Sequence, residues 1–142
     1  MSRIFKYSIL AICCVLCFAS AFADPVPQGR ISYTINDGWK FKLQGSGYAK
    51  NAVYDEGGWT TVQLPHTWNN KDPFDNDRDY LRGIGWYRKH LSVDPSLRSK
   101  KIFLYFEGAN QVTDVYVNGA FAGEHVGGYT PFTIDITRFL HW

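Results

Sequence analysis

The chain has 142 residues, 45% of them hydrophobic and 17% aromatic, with a formal net charge of +2. Both surplus positive charges, Arg3 and Lys6, fall in the first 23 residues; the remainder carries 13 basic and 13 acidic residues. That balance excludes a basic nucleic-acid-binding face, and the length suits a single domain.

Arg3 and Lys6 precede an uncharged run that ends in Ala21-Phe22-Ala23. A positive start, an apolar stretch and small residues at a cleavage site describe a secretory signal. A spanning helix needs about 20 apolar residues, and this stretch is short. Residues 1–23 are therefore expected to be a cleaved signal peptide, with export to the periplasm or beyond and no stable membrane span. Ile12 is a poor neighbour for a lipidated Cys13. All three cysteines (Cys13, Cys14, Cys17) lie in this segment. The mature span, residues 24–142, is thus without a disulfide, a thiolate nucleophile or a cysteine-based zinc site.

Residues 30–35 and 39–43 have strand patterns. Trp39, Phe41 and Leu43 alternate with Lys40 and Lys42, and Asn36-Asp37-Gly38 supplies a turn between the two runs. Residues 44–58 hold four glycines and little periodicity, which predicts a loop. Residues 59–64 return to strand until Pro65, which cannot donate to a ladder. Residues 69–82 form a long polar connection containing Asp72, Asp75, Asp77 and Asp79. Residues 85–93 form the next predicted strand, with Tyr87, Leu91 and Val93 on its apolar face. Asp94-Pro95-Ser96 turns the chain, and residues 101–107 follow with Ile102, Leu104 and Phe106 inward.

Asn118-Gly119 lies between the apolar strand residues Val115, Val117 and Phe121. This dipeptide is a strong hairpin signal, since both central positions of a type I′ turn take positive φ. Gly127-Gly128 reverses the chain, and Phe132, Ile134 and Ile136 then alternate with polar residues. A helical turn is expected over residues 137–140, capped by Asp135 or Thr137. Seven or eight short strands with frequent turns predict an all-β sandwich.

The order of several strings carries a more specific signal. Val115-Tyr116-Val117-Asn118-Gly119 is followed by Gly123-Glu124-His125-Val126-Gly127-Gly128-Tyr129-Thr130-Pro131-Phe132 and Asp135-Ile136-Thr137. Leu64-Pro65-His66-Thr67-Trp68 and Arg82-Gly83-Ile84-Gly85-Trp86-Tyr87-Arg88-Lys89 precede them. Together they resemble the N-terminal sugar-binding domain of glycoside hydrolase family 2, which includes β-galactosidases, β-glucuronidases and β-mannosidases. The resemblance implies a jelly-roll β-sandwich of the galactose-binding type. It implies a parent enzyme, β-galactosidase-like, that hydrolyses terminal β-glycosidic bonds with retention. It further implies downstream immunoglobulin-like and barrel domains, a β-glycoside substrate and no cofactor. The family pattern continues with a further turn and strand, so the resemblance implies a C-terminally incomplete sandwich. A free-standing carbohydrate-binding module, or a truncated product, is the alternative reading.

Glycosidases of this kind need two carboxyl groups, about 5 Å apart in retaining enzymes. In the resembled family both are barrel glutamates. The only glutamates here are Glu56, Glu107 and Glu124, none in such a context, so no catalytic residue is expected in this chain. The aspartates of residues 75–79 begin like a calcium loop, but Tyr80 and Trp86 stand where Gly and Glu are required. Gly83-Ile84-Gly85 lacks the third glycine of a dinucleotide fingerprint. His66 and His125 are expected to bond loop backbone. Trp68, Trp86 and Tyr129 could stack on sugars, with core or interdomain packing the blander reading. In the resembled β-galactosidases the connection corresponding to residues 69–82 reaches the substrate, which makes Asn69, Asn70 and Asp72 the candidate sugar-binding residues.

Overall fold

A computed structural model describes residues 29–69 and 82–142. The chain divides into two units, residues 1–33 and 34–142. In the first, the described residues 29–33 are irregular, with Ile31 and Tyr33 largely exposed. The strand expected over residues 30–35 does not form. Its alternation was real, but alternation alone creates no ladder partner. The expected signal segment, residues 1–23, lies outside the described residues.

The second unit is all-β, with seven strands and no α-helix among the described residues. β1 (Trp39–Leu43) runs between β2 (Thr60–Val62) and β3 (Gly85–Arg88), antiparallel to both. The lysines of β1 leave the apolar side, and Lys40 Nζ donates to Thr61 Oγ1 across the ladder at 2.9 Å. The expected strands over 59–64 and 85–93 are thus shorter than their patterns. Leu64 N–H leaves the ladder to donate to Asn36 O at 2.9 Å. Beyond Arg88, Leu91 is 43% exposed and makes no apolar face.

β4 (Phe103–Phe106) pairs with β7 (Phe132–Asp135), and Phe106 stacks on its partner Phe132 at 4.5 Å. Leu104 and Phe106 face inward as their alternation requires. β5 (Val112–Val117) and β6 (Ala120–Val126) form the predicted hairpin. Asn118 and Gly119 take φ of 51° and 87°, the double positive φ that a two-residue I′ turn demands. The inner face of this hairpin meets β7. His125 stacks on Phe132 at 4.1 Å, and a Cβ on Gly123 would stand 2.8 Å from Ile134 Cδ1. Among the described residues, Ala49, Trp59, Val115 and Ile136 are the buried hydrophobic ones.

Two local expectations need correction. The loop over 44–58 contains a 3₁₀ turn, Gly47–Lys50, started by Ser46 Oγ and burying Ala49. The turn after β7 is Thr137–Phe139 with Ile136 as the N-cap residue. Asp135 still serves it, because its carboxylate accepts from Thr137 N–H at 2.9 Å.

Candidate functional site

Phe41 sits at the middle of β1, opposite Tyr87 of β3, and organises a cluster of rings. Its ring lies 4.7 Å from His66, 4.8 Å from Tyr87 and 5.8 Å from Trp68, the last nearly parallel. His66 Nδ1 and the Tyr87 hydroxyl are hydrogen-bonded at 2.8 Å. Burial pushes the Tyr87 phenol above its ordinary range, so it stays protonated and available to the imidazole. The expected backbone bonding of His66 and His125 is thereby corrected. Both find side chains, since His125 Nε2 lies 3.0 Å from Thr130 Oγ1.

The cluster fixes both ends of the polar connection over residues 69–82. On the entering side, Trp68 lies over Gly85, where an added Cβ would come within 2.4 Å of its Cζ3. On the returning side, Ile84 O accepts from Gln44 N at 2.7 Å and extends the β1–β3 ladder by one step. A glycine at position 85 is what lets an indole lie flat against the strand.

Asn69 is the one candidate sugar-binding residue that the structure describes. It follows Trp68, and its backbone N–H donates to Thr67 Oγ1 at 3.2 Å. Its side-chain Oδ1 is buried and has no hydrogen-bond partner among the described residues. A buried amide oxygen without a donor costs about 1–3 kcal/mol. Asn70 and Asp72 lie outside the described residues, as do Asp75, Asp77 and Asp79 of the acidic run.

Beside this cluster stands a residue that the sequence reading passed over. Arg88 Nε donates to Glu56 Oε2 at 2.8 Å, and its other nitrogens donate to Ala49 O, Asn51 O and Ala52 O. His90 Nε2 is 3.3 Å from the other Glu56 oxygen. This fork holds the 49–52 segment against β3 and uses Glu56 for structure. The available signal was the alternation of β3: Tyr87 and Arg88 face opposite ways, so Arg88 had to meet something beyond the ring cluster.

Of the aromatic candidates, Trp68 and Trp86 are half-buried in packing contacts, Trp86 against Gly45 and Tyr116. Tyr129 is 95% exposed, so the core reading fails for it. No group of three His, Cys, Asp or Glu side chains that could hold a metal occurs among the described residues. Asp114 and Glu124 face each other across the hairpin. Both are exposed on the outer face of the hairpin.

Compared with known proteins, residues 32–142 match the family profile "Glycosyl hydrolases family 2, sugar binding domain". The chain belongs to glycoside hydrolase family 2. The family 2 domain is 37% identical over 132 residues to a putative β-glucuronidase of Formosa agariphila, a match covering 93% of this chain and 16% of that protein. It is 40% identical over 117 residues to a β-galactosidase of Thermoanaerobacter pseudethanolicus, covering 81% of this chain and 16% of that protein. Among solved structures, Bacteroides uniformis β-glucuronidase 2, covalently bound to cyclophellitol-6-carboxylate aziridine, superposes with a TM-score of 0.73 at 41% identity. That match covers 78% of this chain and 13% of the other. The family 2 domain therefore spans about one-sixth of the length of these curated relatives, and the β-sandwich expected from the sequence is its architecture.

Proposed function

We propose that residues 24–142 are the N-terminal domain of an exported glycosidase that hydrolyses terminal β-O-glycosidic bonds, as β-galactosidases and β-glucuronidases do. Residues 1–23 are its cleaved signal. Downstream immunoglobulin-like and barrel domains supply the catalytic carboxylates, and this domain supports the barrel and lends it the 69–82 connection. Asn69, Asn70 and Asp72 are the residues assigned to the sugar.

The buried Oδ1 of Asn69, unpartnered among the described residues, carries this reading. An amide in this position accepts a hydrogen bond from a sugar hydroxyl and can donate one through its nitrogen. The anchoring of Trp68 on Phe41 and Gly85 supports it, because a loop that positions substrate needs a fixed root.

Replacing the contacting residue by Ala in the full-length parent is expected to lower kcat/KM about 5- to 150-fold, equivalent to roughly 1–3 kcal/mol. Steady-state kinetics on Asn69→Ala, Asn70→Ala and Asp72→Ala, with both a chromogenic β-galactoside and a β-glucuronide, also identifies the sugar. Wild-type constants in all three variants would remove the connection from the substrate site. The chain alone is expected to leave both substrates intact.

A further inference from the structure

Asn118-Gly119 is the only Asn-Gly pair in the sequence, and such a pair has a chemistry of its own. The Gly119 backbone nitrogen loses its proton to a solvent base and attacks the side-chain carbonyl carbon of Asn118. A C–N bond forms, and the amide nitrogen leaves as ammonia. Water then opens the cyclic imide at either carbonyl, leaving aspartate or isoaspartate. Glycine favours the attack because it has no Cβ to crowd it.

The hairpin opposes this attack in three ways. The β5–β6 ladder bulges at Ala122, between the Val115–Gly123 and Tyr116–Phe121 pairs, and then closes with Val117 opposite Ala120. Only Asn118 and Gly119 remain to make the turn, at φ of 51° and 87°. In a type I′ turn ψ at the first of these positions is about +30°, which points the Gly119 nitrogen away from the Asn118 side chain. Second, Asn118 Nδ2 donates to Phe139 O at 2.7 Å, which draws the amide toward the Thr137–Phe139 turn. That turn is itself held, since Asp135 Oδ1 accepts from Thr137 N–H at 2.9 Å and Phe139 N–H donates to Ile136 O at 3.0 Å. Third, a Cβ on Gly119 would touch Lys50 O and Ala52 N at 3.8 Å, so one side of the tip is already filled.

We propose that Asn118 is a deamidation site that folding keeps closed. The native hairpin retains the amide, and an opening of the tip exposes it to ring closure. Neither product restores the native contacts. Aspartate has no donor for Phe139 O and sets a negative charge against it. Isoaspartate routes the main chain through Cβ, adding a carbon to a turn whose length fixes the register. The modification therefore makes a transient opening permanent.

Holding the full chain in mildly alkaline buffer, with and without urea, and mapping its peptides by mass spectrometry tests the proposal. Enzymatic methylation scores isoaspartate separately. In urea Asn118 is expected to convert well ahead of Asn51, whose neighbour Ala52 carries a Cβ. In buffer the conversion at Asn118 should be about 100-fold slower, because it waits on rare local opening. Asp135→Asn loosens the turn that carries Phe139 and should speed conversion in buffer while leaving the rate in urea unchanged. Asn118→Asp, the product made directly, should lower the urea midpoint at constant slope. Equal rates in buffer and urea overturn the proposal, as does retention of the amide in urea. A wild-type rate for Asp135→Asn in buffer, or an unchanged midpoint for Asn118→Asp, overturns it too, because the contact to Phe139 would then protect nothing.

Discussion

Arg88 shows how one side chain can hold a segment that has no ladder of its own. Its side chain is only 12% exposed, and its guanidinium reaches Glu56 together with three carbonyls of the 49–52 segment. Lysine has neither the planar fork nor enough donors fixed in one plane to replace it. Arg88→Lys is expected to lose about 2–3 kcal/mol, most of the loss seen on breaking a partly buried pair, measurable as a fall in the urea midpoint at constant slope. Gly85 is a second sensitive position. A methyl group there would meet the Trp68 ring, and overpacking of this kind costs about 1–3 kcal/mol. Gly85→Ala should be destabilised by that amount and should shift the tryptophan emission. The Tyr87 phenol, raised by burial, has a folded pKa above its unfolded value. Its stabilising effect is complete below the ordinary phenol range of about 10 and is lost as pH rises through the folded value. Urea midpoints measured between pH 8 and 11 should therefore fall more steeply for wild type than for Tyr87→Phe.

At the level of elements, the strands with a strict two-residue period were legible, and the segments fixed by single side chains were not. β1 and the Asn118-Gly119 turn could be read because alternation and positive φ each leave a residue-type signature. The 3₁₀ turn that buries Ala49 left none, since a small residue in a glycine-rich run looks like loop until Arg88 is seen to hold it. The bulge was hidden for a similar reason. Phe121, Gly123 and His125 continue the period of an ordinary strand, and only the observed register shows that Phe121 has left it. For the candidate site, Asn69 was found through family resemblance, whereas its orphaned oxygen required coordinates. Gly119 gives the hairpin a direct test. Gly119→Ala places a Cβ at φ 87°, which costs about 1–2 kcal/mol and should lower the melting temperature. At the other end of the sheet pair, the Thr137 side chain first, and then its backbone N–H, hold the Asp135 carboxyl below the usual range. Such a group stabilises above the ordinary carboxylate pKa, and the effect fades as pH falls through the lowered folded value. Asp135→Asn should flatten the acid limb of the stability profile between about pH 5 and 2.

For the molecule as a whole, the distribution of apolar surface matters most. The described residues bury few hydrophobic side chains completely, while Tyr105, Val112, Val126, Ile84 and Val53 are each more than half exposed. Exposed apolar side chains favour self-association where they gather into a patch. Expressed alone, the chain is expected to bind a hydrophobic dye and to associate with rising concentration. Light scattering and dye fluorescence over a dilution series would check this, and a monomer that ignores the dye would count against it.

The hairpin tip has a practical consequence. A two-residue turn between regular strands is the usual choice for grafting an epitope or splitting a protein for complementation. Here Asn118 Nδ2 donates to Phe139 O at 2.7 Å, and Gly119 lies against the backbone of residues 50–52. An insertion at this tip would disconnect three distant stretches of chain at once. A reporter tag is better placed at Tyr129, where the side chain is almost fully exposed and an addition displaces nothing.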